Sequence, residues 1–264
     1  MKFKTRPMKT ITKAIALILG FIVGTMPMNA GDSRLYNEDL GKRMNEQIKQ
    51  NNVQSITGYT FSYVNGVLGK ESYKSSVEMF DKSGNKTEDA VYAANGESEF
   101  SFIYSYNEEG IQLKNVGIRL HKPVYNFWSY EIIDSLSALK RYHTDTRNTE
   151  YWMSYFDKNG RKVKEEYYGK DGFLDHSKVF AYDNTTGRLT EKSQLDGYGN
   201  VYSRSVYTYD EKGNNTSVIQ YDAMGKMFQT NLLSYDEKGN VKTSAIQDHS
   251  NTLITMTVYS YAFN

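Results

Sequence analysis

The phrase YTYDEKGN at 207–214 returns as YDEKGN at 235–240, and a relaxed form, AYDNTTGR, precedes both at 181–188. Aligned on the acid, these motifs fall at Asp157 (FDKNG), Asp183 (YDNTTG), Asp210 and Asp236 (YDEKG), at steps of 26, 27 and 26 residues. A second series, Asp171 (KDG), Asp196 (LDGYG), Asp222 (YDAMG) and Asp248 (QDHSN), interleaves with the first at steps of 25, 26 and 26. The same rhythm runs from Asp81 (FDKSG) to Asn107 (YNEEG), with Asn95 between them. Turn signals at half this period alternate with strand-length segments, which is the pattern of an all-β chain. Self-similarity at a fixed period means that each hairpin is buried by its neighbours.

The phrase carries its own turn chemistry. An Asp carboxylate can accept a hydrogen bond from the backbone two residues on, and Gly three residues later takes a positive φ at no steric cost. A four- or five-residue hairpin loop built on a type I turn suits D-x-x-G-N, with the Asn also tolerating the left-handed region. Asp157, Gly160, Asp183, Gly187, Asp210, Gly213, Asp236 and Gly239 are therefore read as structural turn residues. A calcium loop would need several oxygen ligands at fixed alternate positions, which EKGN and AMGK do not supply.

Between turns, aromatics recur two apart: Tyr207 and Tyr209, Phe102, Tyr104 and Tyr106, Phe180 and Tyr182, Tyr259 and Tyr261. That spacing puts them on one face of a strand. Tyr182, Tyr209, Tyr235 and Tyr261 hold equivalent places in the repeat, as a core ladder or as a displayed platform for sugar rings. The chain has 23 Tyr, 12 Phe and 2 Trp, a large number for a thin sheet to hide.

The Y-x-Y-D-x-x-G-N phrase resembles the YD repeat of RHS-type bacterial surface and toxin proteins. It is also similar to short Y-D-x-x-G repeats in small exported proteins of gut anaerobes. The resemblance covers Asp157 onward well and Thr57 to Gly110 more loosely. It implies a hairpin-array architecture in which the repeats are scaffolding and carry no catalytic residue.

Outside the rhythm, residues 1–30 read as a signal peptide. Lys2, Lys4, Arg6, Lys9 and Lys13 form a basic n-region before an apolar run of ten at 14–23, too short to span a bilayer core of about 30 Å. Residues 31–53 place Leu40, Met44 and Ile48 on one helical stripe, a cap for one end of the sheet. Residues 54–264 form the repeat domain, with an irregular insertion at about 111–150. Within it, SLSALKRYH suggests a short helix, and Tyr125, Phe127, Trp128 and Tyr130 make the densest aromatic cluster, the first candidate ligand site.

Several chemistries are excluded. The chain has no Cys, hence no disulfide, thiol nucleophile or thiolate metal site. Removal of residues 1–30 leaves 27 basic against 31 acidic residues, a net charge of −4, which disfavours nucleic acid and anionic lipid as partners. His121, His143, His176 and His249 show no metal-ligand spacing, and no G-x-S-x-G elbow or phosphate loop occurs. Glu108–Glu109 and Glu165–Glu166 are paired acids beside turns, of the kind a glycosidase would need facing each other across a cleft.

The expected fold is thus an all-β, antiparallel hairpin array of some twelve strands, meandering, twisted or curled, with a short N-terminal helix. The expected function is non-enzymatic: an exported binding or scaffold protein of the periplasm or cell surface, recognising a glycan or another surface protein. No cofactor, metal, nucleic acid or membrane insertion after signal cleavage is expected. The alternatives are a secreted carbohydrate hydrolase using turn carboxylates and a structural subunit that assembles through edge strands.

Overall fold

The computed structural model describes residues 39–108, 112–119, 122–134, 137–143 and 149–263. The expected signal peptide at 1–30 lies outside them. One helix, α1 (Asp39–Gln50), precedes sixteen strands: β1 (Val53–Val64), β2 (Val67–Phe80), β3 (Lys86–Tyr92), β4 (Ser98–Tyr106), β5 (Gln112–Arg119), β6 (Lys122–Asp134), β7 (Ser137–His143) and β8 (Thr149–Phe156). They continue as β9 (Lys162–Tyr168), β10 (Leu174–Tyr182), β11 (Leu189–Asp196), β12 (Val201–Tyr209), β13 (Asn215–Asp222), β14 (Met227–Tyr235), β15 (Val241–Asp248) and β16 (Leu253–Phe263). Each strand pairs antiparallel with the next, and β1 also pairs with β16 through Ile56↔Tyr261, Gly58↔Tyr259 and Thr60↔Thr257. The meander closes on itself.

Two expectations are corrected. There are sixteen strands, because residues 112–156 add four regular ones to the meander instead of forming an irregular insertion. The segment SALKRYH is strand β7, with Ala138 between Ile132 on β6 and Ser154 on β8. Ladder hydrogen bonds on both sides override a local pattern that also fits a helix. Pro123, which cannot donate to a ladder, sits one residue inside β6, opposite Ile118.

The turns show what the repeated acid does. In the turn after β12, Gly213 N–H donates to Asp210 O at 3.0 Å and Asp210 N–H to Asn214 O at 2.9 Å. The Asp210 carboxylate accepts from Asn214 N–H at 2.8 Å and from Asn214 Nδ2 at 2.9 Å. Asp236 and Asn240 repeat the arrangement. At Asp157 an Arg161 side chain takes the place of the Asn amide. Gly160, Gly187, Gly213 and Gly239 have φ between 71° and 89°, where a Cβ is strained. The Asn after the Gly thus grips the Asp and leaves the left-handed conformation to the Gly.

The Tyr that ends each repeat has a specific partner. Tyr106 donates its hydroxyl to Lys86 O, Tyr182 to Lys162 O, Tyr209 to Leu189 O, Tyr235 to Asn215 O and Tyr261 to Val241 O, at 2.6–2.8 Å. Each acceptor lies twenty residues back, at the first residue of the strand with which the Tyr strand forms a hairpin. The hairpin is closed at one end by its turn and at the other by this bond. The rings pack inward: Tyr182 and Tyr209 lie against buried Phe180, Leu189, Tyr207 and Val218. Burial pushes the Tyr235 hydroxyl up to about 12.

Helix α1 covers the end at which β1 begins. Ile48 is buried with Val53, Ile56 and Phe80, against Tyr259 and Tyr261. Asn51 Nδ2 donates to Asn240 Oδ1 at 2.8 Å and to Lys238 O at 3.3 Å, seating the helix on a YDEKGN turn. A Cβ on Gly84 would meet Asn45 O at 3.1 Å, and one on Gly239 would collide with Gln47, so these two turn glycines also admit the helix.

Removing one closing hydroxyl leaves a buried carbonyl without its donor, at a cost of about 1 kcal/mol. Tyr235→Phe is expected to lower the unfolding free energy by that amount in urea titration, with an unchanged m-value. An unchanged midpoint would mean that the hydroxyl does not hold the hairpin.

Candidate functional site

Closure gives the sheet an inner face, and beside its aromatic and aliphatic clusters much of that face is polar. Thr60, Glu78, Lys86, Asp89, Asn115, Ser154, Lys162, Glu165, Ser205, Asn231 and Ser244 are all buried. Barrels of about sixteen strands are too wide for side chains alone to fill, and a polar inner face suits such a lumen. A cavity of about 290 Å³ lies between β1–β4 and β14–β16. Its deep end is formed by Ile56, Glu78 and Tyr259, the first and last of which also pack around α1. Its other end reaches Ala94, in the turn between β3 and β4, and Ile246.

Hydroxyl groups line the middle. Thr60 Oγ1 donates to Ser75 Oγ at 2.8 Å and shares a hydrogen bond with Thr257 Oγ1 at 2.7 Å, tying β1 to both neighbours. Ser244 Oγ donates to Asn231 Oδ1 at 2.7 Å. A Cβ on Gly58 would come within 2.6 Å of Ser76 Oγ, so a side chain here would have to displace that hydroxyl.

The charged part of the wall is a buried triad. Lys86 Nζ donates to Glu78 Oε1 at 2.8 Å and lies 3.6 Å from Asp89 Oδ2, which also accepts from the Tyr104 hydroxyl at 3.0 Å. Burial opposes the charge on Lys86, but Glu78 and Asp89 hold its ammonium above the ordinary value. Asp89 is pushed up to about 6, mainly by burial and further by the charge of Glu78, against the pull of Lys86. Glu78 Oε2 and Asp89 Oδ1 are buried and accept no hydrogen bond.

The same phrase builds a second cluster. FDKSGNK at 80–86 and FDKNGRK at 156–162 each place a buried Lys at the first strand position, with an acid three residues on. Glu165 accepts from Lys162 at 2.5 Å and from Lys178 at 3.1 Å. These two lysines hold its carboxyl well below the usual range despite burial.

The acids and aromatics singled out in the sequence fall elsewhere. Asp157, Asp183, Asp210 and Asp236 sit at reversals, engaged with their own turns. Glu165 and Glu166, adjacent on β9, bind different partners: Glu166 takes Lys164 and the hydroxyls of Tyr155 and Tyr168. Glu108 is exposed beside a turn, and Glu109 lies outside the described residues. Tyr125 and Phe127 are on β6 and exposed, at 54% and 42%. Trp128 and Tyr130 belong to the same strand, opposite Tyr142 and Lys140, and their side chains lie outside the described residues. His176 bonds Asp175 and packs on Tyr167. Among the described residues no three His, Cys, Asp or Glu come together to hold a metal ion, and no helix is long and apolar enough to cross a membrane.

No protein-family model matches the chain, and no curated protein matches it. Among solved structures it is similar to a porin-like protein from Bacteroides uniformis, at 10% identity over 80% of this chain and 98% of that one, with a TM-score of 0.35. It is also similar to a DUF1329 family protein from Desulfovibrio piger, at 10% identity, 88% and 92% coverage and a TM-score of 0.32. A third is a putative outer membrane lipoprotein-sorting protein domain from Vibrio parahaemolyticus, at 10% identity, 83% and 92% coverage and a TM-score of 0.29.

A raised carboxyl pKa means that the folded chain holds the proton more tightly than the unfolded chain. Asp89 therefore costs stability as pH rises from about 4 to about 6, and the cost persists above that window. Asp89→Asn is expected to match the wild type below about pH 4 and to be more stable at pH 7.5, by up to about 3 kcal/mol. Urea titrations at the two pH values test this. A variant less stable at pH 7.5 would show that the ion pair with Lys86 outweighs burial.

Proposed function

We propose that this chain is an exported, non-catalytic binding protein that holds a small polar ligand inside its closed sheet. The observation that carries the reading is that Glu78 and Asp89 both line a cavity and each keeps one buried carboxylate oxygen without a donor. A buried acceptor without a partner costs about 1–3 kcal/mol, which a ligand bearing donors would recover. The cavity volume suits a ligand of monosaccharide size, and its mixture of hydroxyls and tyrosine rings suits hydrogen bonding together with stacking. The basic and apolar pattern of residues 1–30 supports the export part of this reading. Hydrolysis is disfavoured because Glu78 and Asp89 are clamped to a single ammonium, whereas a glycosidase pair stands apart across the substrate.

The test is a melting-temperature screen of polar small molecules, followed by calorimetry. A ligand is expected to raise the melting temperature in proportion to ln(1 + [L]/Kd). Ile246→Trp, which fills the end of the cavity farther from α1, is expected to abolish the effect, and Tyr125→Ala to leave it intact. Binding that survives Ile246→Trp would sink the interior reading.

A second reading concerns the outer wall. Ile103, Val116 and Tyr125 lie side by side on β4, β5 and β6, and Ile103, Ile118, Tyr125 and Phe127 are all exposed. Recognition of a glycan or another surface protein through this strip predicts that Tyr125→Ala with Phe127→Ala abolishes binding on a glycan array or to a cell-surface fraction. Ile246→Trp would then have no effect.

A further inference from the structure

The cavity wall includes Glu78, Asp89 and Glu99 and, among the described residues, no Lys, Arg or His. Lys86, outside the lining, serves both Glu78 and Asp89 at once. One positive charge against two leaves the triad short of a cation. Glu78 and Asp89 are each 5% exposed, and each turns one oxygen to Lys86 while the other has no donor.

The second cluster is an internal reference. Counting back two from the Phe of each FDK-x-G-x-K phrase, the first copy has Glu78 and the second has Ser154, also buried. The second copy instead gains Lys178 from β10. The same local frame thus yields an excess of negative charge at the cavity and an excess of positive charge at Glu165. Turn architecture requires neither sign, so the extra carboxylate at the cavity is a property of that site.

We propose that the ligand of this cavity is a small organic ammonium ion, an amine or amino sugar, drawn to the carboxylates of Glu78 and Asp89. The inference rests on the interior-binding reading above. An ammonium offers three donors and no acceptor, and it supplies the charge that two buried carboxylates on one lysine lack. The rings of Tyr73 and Tyr259 in the same wall present electron-rich faces to a cation. A neutral polyol satisfies the oxygens but leaves the charge unbalanced. The groups facing Asp89 are Glu78 from β2, Lys86 from β3 and Tyr104 from β4, with Tyr259 from β16 beside Glu78. Because burial raises Asp89 to about 6, the site loses charge in acid and binding weakens below about pH 6.

The test is calorimetry on the full chain with two matched pairs, putrescine against 1,4-butanediol and glucosamine against glucose, at pH 7.0 and pH 5.0. The amine is expected to bind at least about tenfold more tightly than its neutral partner at pH 7.0, with a smaller preference at pH 5.0. Glu78→Gln is expected to remove the preference, and Asp89→Asn provides the same readout should the first variant fail to fold. Equal affinity for amine and alcohol, still blocked by Ile246→Trp, would overturn the ammonium assignment and leave interior binding standing. An amine preference that survives both Glu78→Gln and Asp89→Asn would overturn the assignment as well. Binding of neither member of either pair would overturn both.

Discussion

The pairing of β1 with β16 is the constraint on which the rest of this structure depends. A meander of sixteen strands exposes two rows of unsatisfied backbone groups unless its ends meet. Here Thr60 bonds across to Thr257 on one side and Ser75 on the other, and Gly58 puts no Cβ against Thr257 Cγ2 across the seam, which it would meet at 3.1 Å. Once the seam is made, the sheet has an inside. The alternation of every strand then sorts its side chains into an outer wall and a wall that faces a lumen. Assembly through edge strands also loses its physical basis, because every described strand has a partner on both sides.

Two networks within the hairpins keep their strands in register. In the hairpins β9–β10, β11–β12, β13–β14 and β15–β16 an Asp carboxylate accepts N–H groups of its own turn at one end, and at the other a Tyr hydroxyl reaches the first carbonyl of the partner strand. Both are local, with contacts four and twenty residues apart. The turn acid and the terminal Tyr are therefore one device: the acid fixes the reversal, and the Tyr at the end of the next strand checks that the pairing is correct.

This division explains what was legible in the sequence. Asp210, Gly213 and Tyr209 announce themselves because their partners are near in the chain, so a repeated phrase carries the whole interaction. The four strands of 112–156 were hidden because their turns lack the phrase, and because SALKRYH also fits a helix when its neighbours are ignored. Closure left no trace, since Thr60 and Thr257 are 197 residues apart and neither is unusual for a strand. Lys86 was the one local sign of the buried triad. It stands where Leu189, Asn215 and Val241 stand in other repeats, a lysine in a place that faces inward. Glu78 and Asp89 become partners only through the register of β2 against β3.

The twenty-residue reach of the Tyr hydroxyl also says how this architecture can vary. Because each unit is fastened within itself and docks on neighbours through backbone pairing, a unit gained or lost would change the girth of the vessel without altering its height. Such a change comes only in pairs of strands, and each step moves the seam walls apart or together, resizing the chamber while leaving the repeat itself untouched.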